Sequence, residues 1–158
     1  MKLLEEPTLV EAIMDARAQI DFLWQFFVTV HIAIFALVFI YGTAVERLNW
    51  PARILSLFGI AGFEWINGNA LANAYMMLDA MHDQYRWSFG QVERFHAAFY
   101  EQFVLADFES RPAMVMITHS AALVVVILAF LSQRFLQSRN VSTDRARQLA
   151  RGYDPTDP

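Results

Sequence analysis

Two apolar runs, Phe22–Gly42 and Ala113–Leu136, constrain this chain more than any other feature. Each has about the 20 residues that carry a helix across a bilayer, and the first contains no Asp, Glu, Lys or Arg. In hydrocarbon the backbone has no water to bond, so such runs satisfy their own N–H and C=O groups as helices. The composition agrees. Hydrophobic residues make up 56% of the chain and charged ones 18%, against about a quarter in soluble domains.

The 158 residues suffice for one domain. Residues 1–136 read as a single helical membrane domain and 137–158 as a polar tail containing Arg139, Arg145, Arg147 and Arg151, with a short capped helix over Thr143–Arg151. The absence of cysteine excludes disulfides, Fe–S ligation and thiol catalysis. A net charge of −4 with no basic face interleaved with aromatics gives no sign of a nucleic-acid partner.

Between the two clean runs lies Ile54–Asp83, a stretch apolar enough to be membrane-buried and too polar to be a plain anchor. At 100° per residue Glu64, Tyr75 and His82 fall on nearly one line, with Asn67, Gly68 and Asp79 near it. Asn69 and Asn73 point to the opposite side, stacked at i, i+4. Such a helix is polar on two faces. Packing accounts for one, since asparagines and small residues join membrane helices; Asn67, Asn69, Asn73 and Tyr75 are therefore the expected helix–helix or partner contacts. Glu64 is the functional candidate, because an ionisable group at membrane depth is costly.

The expected fold class is thus an all-α integral membrane protein with three transmembrane helices, about 22–42, 54–82 and 113–136. An N-terminal extension of the first begins in the capping-box pattern Thr8-x-x-Glu11. Helix from Thr8 to Thr43 would be about 50 Å long, so its first turns are expected to lie along the surface or project from it. The acidic start and long, late apolar run do not resemble a signal peptide. An interfacial helix is expected at about 90–108, where Val92, Phe95, Phe99 and Phe103 form one stripe. Counting Lys and Arg does not separate three crossings from a two-span hairpin. The acidic lead-in and the arginines after the last run favour three, in a cytoplasmic-type (inner) membrane with the C-terminus cytoplasmic.

Two sets of side chains carry metal-binding chemistry. His31 and His119 lie inside the clean runs at about the same depth, and Glu64 reaches a similar layer from the middle helix. Two imidazoles and a carboxylate suit a divalent metal, and two facing imidazoles suit haem b. Phe27 and Phe35, at four residues to either side of His31, crowd the space a porphyrin needs. The second set is Asp79, His82 and Asp83 with His96 on the following helix, for which a solvated helix end is the plainer reading. There is no G-x-S-x-G, Walker loop, G-x-G-x-x-G or H-E-x-x-H. The expected function is a small non-catalytic accessory or anchoring subunit of a larger membrane complex, respiratory or redox, whose partners are lipid and other membrane subunits or further copies of itself. The alternatives are a haem- or metal-binding redox protein and a component of an ion or proton pathway through Glu64.

Overall fold

The computed structural model describes residues 5–41 and 48–130, and every regular element among them is helical. Helix α1 is Glu6–Ile40, α2 is Trp50–Phe89 and α3 is Arg111–Phe130. The arginine-bearing tail, its short helix and the end of the third apolar run lie outside the described residues.

Local chemistry sets the helix starts. Asn49 caps α2 by accepting the Ala52 N–H at 3.0 Å, and Pro51 sits in the first turn, where its missing N–H costs nothing. The expected Thr8 cap of α1 is corrected. The cap position is Glu5, with no side-chain bond, and its carbonyl accepts the Leu9 N–H at 3.1 Å. Pro7 has its backbone pre-set for the first turn, so the helix begins ahead of Thr8 rather than after it.

α1 and α3 both run antiparallel to α2. Glu6 meets Tyr85, Trp24 meets Tyr75 and His31 meets Glu64, so positions rise along α1 as they fall along α2. Phe108 meets Asp79 and His119 meets Asn67 in the same sense. α1 and α3 are long and apolar enough to cross a membrane, and only 17% of the most apolar window of each is buried. Core helices of soluble proteins are covered; these two expose Phe22, Ile32, Phe39, Ile117 and Val124.

The lead-in of α1 packs along the far end of α2. Leu9, Ile13, Ala16 and Ile20 form a buried stripe against Leu71, Ala74, Leu78 and Tyr85 of α2, closed by Phe103, Val104 and Val115. Full burial of each larger side chain contributes about 1.5–3 kcal/mol where water is the alternative. The extension is thus held by an ordinary hydrophobic core outside the first apolar run. Trp24 marks the transition, donating from Nε1 to the Tyr75 hydroxyl at 3.2 Å.

A polar clamp closes that end. Tyr85 donates to Glu6 Oε1 at 3.0 Å and Arg94 donates to Oε2 at 2.9 Å. The Arg94 hydrogen bond, then that of Tyr85, holds the Glu6 carboxyl below its ordinary range. Burial, seconded by the Glu6 bond, pushes the Tyr85 phenol up to about 12.

The single interfacial helix expected at 90–108 is also corrected. Val92–Arg94 is a 3-10 turn, Phe95 and His96 are extended, Ala97–Phe99 is one helical turn, and Tyr100–Val104 is a π turn closed by the Leu105 N–H on the Tyr100 carbonyl. The aromatic stripe is what breaks it. The extended pair lets Phe95 turn back toward Tyr85 and Phe99, while Phe103 packs edge-on to Tyr85. Arg86 then secures the return by donating to the carbonyls of Val104 and Ala106, both at 3.1 Å.

Candidate functional site: a buried polar layer shared by three helices

The apolar halves of the helices enclose a layer of polar side chains, contributed by all three. His31 of α1, Glu64 and Asn67 of α2, and His119 of α3 are each at least nine-tenths buried. The helical pattern places them. Glu64, Asn67, Gly68, Leu71, Ala72, Ala74, Leu78, His82 and Tyr85 are the buried face of α2, which includes most of the polar line expected from periodicity.

Both histidines use Nδ1 in the same way. His31 Nδ1 donates to the Phe27 carbonyl and His119 Nδ1 to the Val115 carbonyl, each 2.9 Å away and four residues back. That leaves both Nε2 atoms pointing into the layer. His119 Nε2 accepts from Asn67 Nδ2 at 3.1 Å and is satisfied. His31 Nε2 stands 2.8 Å from Glu64 Oε1. The contact has the distance of an ion pair without the alignment of a hydrogen bond, so His31 Nε2 and both Glu64 oxygens remain without a hydrogen-bond partner among the described residues.

Close packing surrounds the layer. The Phe27 ring packs against both imidazoles, 4.2 Å from His31 and 4.3 Å from His119 between centroids. Gly68 makes room for His119: a Cβ there would stand 3.2 Å from its Cγ. On the side of α3 a cleft of about 90 Å³ reaches Glu64, between Trp65, Met116, His119 and Ser120. That is volume for on the order of three waters, at roughly 30 Å³ each.

This arrangement differs from the expected metal or haem site. His31, His119 and Glu64 do occupy one layer, but Phe27 packs against both imidazoles and Asn67 occupies His119 Nε2. The outer set does not converge. Asp79 accepts the Phe108 N–H at 2.9 Å, His82 is fully buried against Arg17, Asp83 is exposed and paired with Arg86, and His96 is exposed at the break before Ala97. Among the described residues no group of three or more His, Asp or Glu is placed to hold a metal ion.

Of the four residues expected in helix or partner contacts, Asn67 and Tyr75 bridge helices within the chain. Asn69 and Asn73 do not. Asn69 donates to the Trp65 carbonyl of its own helix at 2.7 Å, and the Asn73 side chain is exposed. The sequence reading missed Gly68 as the seat of His119 and Arg17 as the partner of His82. The first had a signal, a glycine inside a helical run. The second had none, because the two lie on different helices.

Comparison of the chain with family models, curated proteins and solved structures finds no match.

Proposed function

We propose that this chain is a small subunit, without catalysis of its own, that anchors or stabilises a larger assembly in a cytoplasmic-type membrane. In this reading α2 crosses the bilayer with α1 and α3, and the C-terminus is cytoplasmic. The antiparallel contact of α2 with both neighbours supports the crossing, as does its exposure of Leu55, Phe58, Trp65 and Ile66. One observation carries the assignment. Trp65, Asn69, Asn73 and Met76 form an outward stripe on α2, and the Asn73 side chain makes no hydrogen bond among the described residues. An amide facing hydrocarbon alone is costly, and in membranes asparagine bonds across helices. The stripe is therefore a contact surface for another membrane helix.

The test is native mass measurement of the full chain after extraction in a mild detergent. The expected result is a species heavier than the monomer, and in Asn69→Leu/Asn73→Leu an association weakened about tenfold, from two interhelical contacts of roughly 0.6 kcal/mol or more each. A stable monomer with no bound partner overturns the reading.

A second reading, proton transfer through Glu64, is favoured by its 2.8 Å contact with His31 and by the cleft that reaches the carboxyl group. In reconstituted vesicles Glu64→Gln should abolish proton flux while leaving the helices intact. Equal flux from both proteins rules this reading out.

A further inference from the structure

Arg17 stands apart from the other described arginines that make ion pairs. Arg86 and Arg94 each have a carboxylate, whereas the Arg17 guanidinium meets none among the described residues. Its recorded hydrogen bond goes from Nη2 to His82 Nε2 at 3.3 Å. Because the guanidinium only donates, that nitrogen presents its lone pair and His82 brings no negative charge. Two aromatic rings flank it, with the guanidinium carbon 5.4 Å from the Phe103 ring centroid and 5.9 Å from that of Phe108. The nearby acids are engaged or apart. Asp79 accepts the Phe108 N–H, Asp83 pairs with Arg86, and Asp21, one turn along α1, makes no ion pair with Arg17.

Two grooves flank this cation. One of about 310 Å³ lies toward Phe99, Gln102 and Phe103, and one of about 320 Å³ toward Ile20, Tyr75, Leu78 and Phe108. Arg17 lines both. It stands five residues before the apolar run that begins at Phe22. At 1.5 Å per residue that is about 7.5 Å above the hydrocarbon, the level of lipid headgroups. A further groove of about 380 Å³ follows along α1 between Trp24, Gln25, Val28 and Thr29. Arg17, Asp21, Trp24 and Val28 recur at spacings of four, three and four, so the grooves follow one stripe of the helix from headgroup level into the apolar zone.

We propose that Arg17 binds the phosphate of an anionic phospholipid, whose acyl chain lies along α1 past Trp24 and Val28. The four guanidinium donors not used on His82 suit phosphate oxygens, and the aromatic walls keep the cation in place when the site is empty. The proposal is independent of either reading of the function.

The test is native mass spectrometry of the full chain titrated in detergent with phosphatidylglycerol, phosphatidylcholine or inorganic phosphate. The expected result is one phosphatidylglycerol retained per chain in preference to phosphatidylcholine. Arg17→Gln should weaken its retention about ten- to hundredfold, the loss of one charge-assisted contact. Asp21→Asn removes an exposed negative charge from the groove, leaves the packing untouched, and should strengthen retention several-fold. That variant keeps the test decisive if Arg17→Gln fails to fold. Two outcomes overturn the proposal: retention unchanged in Asp21→Asn or in a folded Arg17→Gln, or an Arg17-dependent site that takes inorganic phosphate and not the lipid.

Discussion

His31→Leu is expected to lower the unfolding free energy of the protein in detergent by about 3–5 kcal/mol, the usual cost of removing one partner from a buried ion pair. The substitution leaves Glu64, 4% exposed, without the imidazole that stands 2.8 Å from its carboxyl group and with neither oxygen hydrogen-bonded among the described residues. Leucine has a suitable volume for the space beside Phe27, so lost packing contributes little. The companion result distinguishes electrostatics from shape. His31→Leu/Glu64→Leu removes both polar groups and should regain most of the loss, because an apolar replacement of a buried pair is often neutral or stabilising. A double-mutant cycle from thermal or denaturant unfolding measures the coupling. If the single and double variants lose the same amount, the pair is not what holds α1 to α2 at this level.

Gly68→Leu is expected to have the second large effect. The helix around Gly68 presses against His119, and a side chain of that size must displace the imidazole or push α3 away. Overpacking of this kind costs about 1–3 kcal/mol, and displacing His119 also breaks its bond to Asn67, for about 1 kcal/mol more. Gly68→Ala is the control. Its Cβ needs only a few tenths of an ångström from the ring, and exchanging a helical glycine for alanine gains roughly 1 kcal/mol, so the two nearly cancel. Melting temperatures of the two variants, with a cross-link between α2 and α3 as the structural readout, check the prediction. A Gly68→Leu protein as stable as the parent would mean that α3 does not seat on α2 through this glycine.

Both predictions concern contacts between helices, and there the reach of sequence reasoning ends. Periodicity correctly separates the two faces of α2. Glu64, Asn67 and His82 are buried together while Asn73 points outward, because an angle of 100° per residue is a property of one helix. It also places His31, Glu64 and His119 in one layer, because depth follows from a constant rise per residue. It does not decide what fills the space between them. That Phe27 packs against both imidazoles, that Asn67 bonds His119, and that Glu64 meets His31 are consequences of how three helices rotate about their axes.

The break at Phe95 and His96 has the same origin. The stripe of Val92, Phe95, Phe99 and Phe103 is a sound helical pattern, yet the helix breaks at Phe95 and His96, and Phe95 and Phe103 both pack on Tyr85 at the end of α2. The lead-in of α1 shows the reverse. Its pattern of Leu9, Ile13, Ala16 and Ile20 was legible, but not the partner that would cover it, since that partner is the far end of α2.

By itself, then, the sequence determined an all-helical chain with two apolar runs flanking a doubly polar helix, because chain length in hydrocarbon and helical period are local quantities. The tertiary structure alone decided which polar atoms meet and which do not. It joined His31 to Glu64, seated His119 on Gly68, and left Arg17 facing its grooves with no ion pair among the described residues. Those outcomes depend on the rotation and register of helices whose contacts are distant in the chain, and no window of sequence contains them.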